Sequence, residues 1–186
     1  MLVVTPGYVG SVAYARLMRD QMVEPLTAGT ALPRDVKAYH SLRAQALEWA
    51  VPRRGVLNGL AALWVHGCVP GPAPVHVEVA VPRGVNPDPP AHTGSHQWSI
   101  VTEPVAVLSA LGVGGVLVAS PATACVAALR RDDHTLTIPA IFSAIQRGLC
   151  NASDVAAVVR THSRRGRGYD RMMSAWREIR IALTAP

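Results

Sequence analysis

Val56-Leu57-Asn58-Gly59-Leu60-Ala61-Ala62-Leu63-Trp64-Val65-His66-Gly67, read together with Val75-His76-Val77-Glu78-Val79-Ala80-Val81, decides the fold class. Gly55-Val56-Leu57 reads as a short strand. Asn58 stands at the N-cap of a helix running through Ala61, Leu63 and Trp64 to His66, and Gly67 closes it. Pro70, Gly71, Pro72 and Pro74 form a rigid connection. In 75–81 the valines alternate with His76, Glu78 and Ala80, the period-two pattern of a half-buried strand.

Working outward towards the N-terminus, Ser11 to Val23 carries Val12, Ala15, Leu17, Met18 and Met22 at helical spacing, with Ser11 as the cap. Val23-Glu24-Pro25-Leu26, Thr27-Ala28-Gly29 and Thr30-Ala31-Leu32 read as a hairpin turning at glycine. Helix then hairpin is the order that ends a winged helix. A second helix is predicted over 35–50, with Val36, Tyr39, Leu42, Ala46, Leu47 and Trp49 as its stripe and Pro52 beyond it.

On the C-terminal side, 82–96 is a loop rich in Pro and Gly, followed by strands near 97–101, 105–108 and 116–119. Helices are predicted over 121–130, 138–147, 153–160 and 169–183. Strands in the middle and helices at both ends predict an α+β fold. It is a small mixed or antiparallel sheet with flanking helices, preceded by a partial winged-helix-like segment over 1–34.

The 186 residues are 49% hydrophobic and 16% charged, which excludes a disordered chain or a coiled coil. Lys and Arg number 18 against 12 Asp and Glu, a net charge of +6. By region the net charge is +3 over 1–54, −2 over 55–159 and +5 over 160–186. A near-neutral body between basic ends suggests a polyanionic partner. Cys68, Cys125 and Cys150 are too widely spaced for a metal knuckle or a disulfide framework, which predicts a reducing cytosol. Pro6, Gly7 and Gly10 interrupt the N-terminal apolar stretch, and no basic residue precedes Arg16, against a signal peptide. The uncharged run from Val105 to Leu129 could cross a bilayer by length. Its cluster Gly112, Gly114 and Gly115, and the helix start Ser120-Pro121, predict two short buried elements with a turn between them instead.

Enzyme chemistry finds little support in spacing. His92 and His96 lie in a Pro/Gly loop without a third ligand, so solvent-exposed loop histidines are predicted rather than a metal site. His66 and His76 are predicted to be partly buried and hydrogen-bonded. Gly112-Val113-Gly114-Gly115 lacks the third glycine of a dinucleotide loop, and no triad can be assembled from the scattered Ser and His. Asp35 and Lys37, with Asp20 upstream, are the nearest approach to a metal-dependent nuclease set, but Asp35 suits the start of a helix. No cofactor is implied. The basic features are stronger. Arg164-Arg165-Gly166-Arg167-Gly168, flanked by Arg160 and Arg171, is a cationic link suited to phosphate contacts, and Arg16 and Arg19 project from one side of the first helix.

In order along the chain, four segments resemble the AbiEi family, bacterial antitoxins of AbiE-type toxin–antitoxin systems. Val56 to Gly67 resembles the family's VLSHxSAAxLHG strand–helix segment. Val75 to Gly84 is similar to its VHVTVPRG strand, and Gly115 to Pro121 to its GLRVTSP strand and helix start. Ala144 to Leu149 with Asp154, then Arg164-Arg165-Gly166, resemble the ALRRGLVTxxDL…GRRG close. After the GLRVTSP strand the family reads SPxRTxxD, where this chain has Thr123, Ala124 and Ala127 at the Arg, Thr and Asp positions. Family members begin with a complete winged helix, whereas only one helix and the hairpin precede Asp35 here. The resemblance implies a cytosolic antitoxin domain over 35–186 and a DNA-binding repressor of its own operon, countering a nucleotidyltransferase-like toxin. With no catalytic set legible in the central body, a binding protein rather than an enzyme is the expectation. Arg16, Arg19, Arg34, Arg164, Arg165 and Arg167 are the expected DNA contacts, with the promoter duplex and the toxin as partners. The alternatives are a protein-binding module acting on the toxin without DNA, and the Asp35/Lys37 nuclease.

Overall fold

The computed structural model describes residues 3–88, 96–104, 109–161 and 168–184. Its architecture is α+β, built on a two-stranded and a five-stranded sheet. The chain opens with α1 (Pro6–Val9), α2 (Ser11–Arg19), β1 (Val23–Thr27), β2 (Thr30–Pro33) and α3 (His40–Ala46). It continues with β3 (Val56–Asn58), α4 (Gly59–Val65), β4 (His76–Pro82), β5 (Gln97–Glu103), β6 (Ala110–Val113) and β7 (Val116–Ala119). The remaining helices are α5 (Pro121–Arg131), α6 (His134–Gln146), α7 (Ala152–Thr161) and α8 (Tyr169–Thr184).

The large sheet has the order β5-β4-β3-β7-β6. It is mixed: β4 pairs antiparallel to β3 and parallel to β5, while β7 pairs parallel to β3 and antiparallel to β6. One face of β4 carries His76, Glu78 and Ala80 towards α5. The alternate face carries Val77 and Val79, and neighbouring Trp98 donates from Nε1 to Ala50 O (2.8 Å) in the turn after α3. Both faces are therefore covered, which explains why the strand's polar positions are buried too. Helix α4 is buried along its whole length, as a helix apolar on every side must be.

Several sequence expectations are corrected. The helix expected over 35–50 begins only at His40, and ends at Ala46 with a short 3-10 turn over Glu48–Ala50. Before it, Val36 and Ala38 are partly buried while Asp35, Lys37 and Tyr39 are exposed. That alternation belongs to extended chain drawn along the core, and tertiary packing overrides the helical pattern. Asp35 therefore does not cap a helix. Helix α2 starts from Gly10 rather than from a Ser11 cap, and its supposed apolar stripe is not buried. Val12 is 83% exposed and Met22 62%.

The strand expected at 105–108 lies outside the described residues. The hairpin partner of β7 is instead β6, an edge strand whose half-exposed Leu111 and Gly112 break the alternating signal. Gly114 and Gly115 make its turn at φ 57° and 88°, the left-handed pair of a two-residue hairpin. A Cβ on Gly114 would also stand 2.7 Å from Ser41 O. The uncharged run thus divides into β6, the turn, β7 and α5, with Pro121 in the first turn of α5. Among the described residues, no helix is long and apolar enough to cross a membrane.

Candidate functional site

The N-terminal helix and hairpin form a basic corner. β1 and β2 pair through the turn at Ala28-Gly29, and Leu26 and Leu32 anchor the hairpin in the main core. Arg34 N donates to Met22 O (3.2 Å), which sets Arg34 beside the end of α2. Arg16, Arg19 and Arg34 are 75%, 72% and 64% exposed, so their guanidinium groups stand in solvent. Two acids share the corner. Asp20 lies 3.6 Å from Arg16 and 3.0 Å from Arg19, and Glu24 lies 3.8 Å from Arg34. Such exposed pairs are worth little, and a polyanion can displace them.

The other expected contacts fare differently. Arg164, Arg165 and Arg167 lie outside the described residues. Arg171, one of their flanking cations, donates instead to Asp132 O (2.5 Å) and ties α8 to the end of α5. Asp35 and Lys37 border a cleft of about 470 Å3 between the hairpin and α3, together with Glu24, Arg34 and Arg43. Arg43 is engaged there by Trp64 O (2.7 Å) and Val69 O (3.1 Å). Among the described residues, no three His, Cys, Asp or Glu side chains could hold a metal ion. His92 lies outside the described residues. His96 is buried rather than exposed, donating from Nδ1 to Pro74 O (3.0 Å) and accepting Ala28 N (3.3 Å). His66 is buried and bonded to Ala119 O (2.8 Å), and burial lowers its pKa.

A second constellation was not legible in the sequence. Across the sheet face beneath α5, Asn58 pairs with Glu78 and Glu78 with Ser99, forming a polar row over three strands. His76 precedes Glu78 by two residues and so shares that face. Above the row, the end of α5 supplies Arg130, Arg131 and Asp132. Arg131 grips both oxygens of Glu78, with Nη2 to Oε1 at 2.8 Å and Nε to Oε2. Both Arg130 and Arg131 donate to Glu103 Oε1 at 3.1 Å. Asn58 Nδ2 donates to Glu78 Oε1 (3.0 Å), so this N-cap residue faces the sheet rather than its own helix. Burial pushes the Glu78 carboxyl up, against the pull of Arg131.

Asp132 takes over the capping that Asn58 leaves undone. Its Oδ2 accepts Leu60 N at 2.8 Å, satisfying a donor in the first turn of α4. Gly59 makes room for that carboxylate, with φ at 56° and the site of any Cβ only 2.4 Å from Oδ2. The other oxygen of Asp132 faces His76 Nδ1 at 3.2 Å, and His76 Nε2 faces Ser99 Oγ at 2.8 Å. Since an ionised carboxylate only accepts, Nδ1 carries the proton in the neutral ring and Nε2 accepts from Ser99.

The hydrogen bond to Asp132 raises the His76 pKa above the usual 6.5, outweighing burial; Glu78 adds to the rise and Arg131 opposes it. A raised histidine contributes stability that is fully present below its unfolded value and is lost as pH rises through the folded one. The stability gap between wild type and His76→Gln is accordingly expected to shrink as pH rises from about 6 through the folded His76 pKa. Urea unfolding across that range checks this, and a gap constant with pH would contradict it.

No protein-family model matches this chain, and no curated protein matches it. Among solved structures, it is similar to the crystal structure of the RV2827C protein from Mycobacterium tuberculosis, with TM-score 0.49 and 14% identity. That match covers 96% of this chain and 72% of the other. So distant a likeness carries no functional argument.

Proposed function

We propose that this protein is a DNA-binding transcriptional repressor and antitoxin of the AbiEi type, acting in the cytosol on its own promoter and countering a nucleotidyltransferase-like toxin. The observation that carries the reading is the basic corner. A nine-residue helix with no buried residue leads into a hairpin, with Arg16, Arg19 and Arg34 displayed at their junction. A helix that contributes so little to the core leaves its surface free for a duplex groove, and the hairpin anchored beneath it fixes its direction. Arg164, Arg165 and Arg167 supply further phosphate contacts in this reading.

The test is a titration of the full chain against its promoter duplex at low salt. Wild type is expected to bind, and Arg16→Ala/Arg19→Ala/Arg34→Ala to bind at least about 10-fold more weakly, by the cost of lost charge-assisted contacts. Unchanged affinity in the triple variant would remove the corner from the interface.

The same corner supports a second reading. Tyr8, Val12 and Met22 are 77%, 83% and 62% exposed, an apolar surface that suits a protein partner. In that case the chain acts on the toxin without DNA. Rescue of growth on co-expression with the toxin, with no duplex shift at any salt, selects this alternative.

A further inference from the structure

We propose that Ser99, His76 and Asp132 form an acyl-transfer site that hydrolyses carboxylic esters, separate from the basic corner. The chain of contacts is complete: Ser99 Oγ to His76 Nε2 at 2.8 Å, and His76 Nδ1 to Asp132 Oδ1 at 3.2 Å. These are the distances and roles of nucleophile, base and orienting carboxylate. Asp132 is the buried member, at 6% exposure, and it is held from two sides by Leu60 N on its carboxylate and Arg171 on its carbonyl. His76 is 37% exposed and Ser99 is half-buried, so the reacting end of the chain opens to solvent while the orienting end is enclosed. Three separate elements, β4, β5 and the end of α5, converge to make it.

The step balances with water as the only co-reactant. Ser99 Oγ attacks the ester carbonyl carbon as its proton passes to Nε2 of His76. The carbon–alkoxy bond then breaks, and the alcohol leaves with that proton. Water next attacks the acylated Ser99, giving a proton to His76. The carbon–Oγ bond breaks, the carboxylic acid departs and Ser99 recovers its proton. Esters are the proposed class because their alcohols leave readily, whereas amides demand stronger stabilisation of the oxyanion. Asp132 is a positioning residue here, fixing the tautomer that leaves Nε2 free to accept.

The experiment treats the full chain with a fluorophosphonate probe and locates the adduct by peptide mass spectrometry, alongside release of nitrophenol from p-nitrophenyl acetate. Stoichiometric labelling at Ser99 is expected, with none in Ser99→Ala and a rate about 100-fold or more lower in His76→Gln. Ester turnover should disappear in Ser99→Ala, whose fold is checked by an unchanged thermal transition. Asp132→Asn should shift the pH profile of labelling as well as its rate, which a purely structural role would not do. Absence of the Ser99 adduct in wild type, equal labelling in His76→Gln, or undiminished turnover in Ser99→Ala would each overturn the proposal. DNA binding is measured separately and is expected to be intact in Ser99→Ala.

Discussion

Gly59→Ala is expected to lower the thermal midpoint by roughly 6–12 °C. Gly59 sits where β3 passes directly into α4, at φ 56°. An L-residue in that conformation costs about 1–2 kcal/mol. The added methyl would also meet Asp132 Oδ2 at 2.4 Å and force the carboxylate away from Leu60 N. Leaving that buried donor unpaired costs about 1–3 kcal/mol more. A total near 3 kcal/mol corresponds to the stated shift for a domain of this size. Gly29→Ala is the matched control, since a Cβ there meets nothing within 4 Å, and its midpoint is expected to stay within about 2 °C of wild type. Calorimetry of the two variants checks both. Equal midpoints would show that Asp132 can be displaced freely.

The second large effect concerns the buried ion pair. Glu78 is 2% exposed and Arg131 19%, and the guanidinium spans both carboxylate oxygens. Arg131→Met removes the counter-charge and leaves the buried Glu78 carboxylate with Asn58 Nδ2 as its remaining named donor, at a cost of about 3–5 kcal/mol in urea unfolding. The double variant Glu78→Leu/Arg131→Met should recover part of that loss, because the orphaned charge is removed while Asn58 Nδ2 loses its acceptor. The single variant has a pH signature as well. Burial already raises the Glu78 carboxyl, and without Arg131 it rises further. The deficit of Arg131→Met should therefore narrow as pH falls and Glu78 takes up a proton. A double variant no more stable than the single one would contradict this account.

The fold was legible where one side-chain period dominated. Alternating valines marked β4, and the apolar run 59–65 followed by His66-Gly67 marked α4. Ser120-Pro121 marked the start of α5, and Thr27 to Thr30 marked the first hairpin. Residues 35–50 misled because Val36 fits a helical stripe with Tyr39 and Leu42 as well as an extended alternation with Ala38, and only the core decides between them. β6 escaped because an edge strand with one exposed leucine and a glycine carries no strong pattern.

Less of the candidate sites could be read. Arg16 and Arg19 were visible from their spacing on a helix, but their shared Asp20 and the place of Arg34 beside Met22 required the hairpin's register. The Ser99–His76–Asp132 chain was invisible for a different reason. Its members come from positions 76, 99 and 132, and nothing local joins them. One signal was present: His76 and Glu78, two apart in an otherwise apolar strand, mark a polar row on one face. A strand covered on both sides must pair such groups, and the Arg130-Arg131-Asp132 run at the end of α5 held their partners.

Phosphate contacts at the basic corner make duplex binding depend on salt. Binding of the full chain to its promoter duplex, followed from about 50 to 200 mM salt, should give a steep linear fall of log K against log salt. Each phosphate contact contributes about 0.9 to that slope, so Arg16→Ala/Arg19→Ala/Arg34→Ala should flatten it by up to about 2.7. A steep wild-type slope that flattens in the variant is the result expected of a DNA-binding regulator using this corner. No binding at any salt, or a slope untouched by the three substitutions, would contradict it.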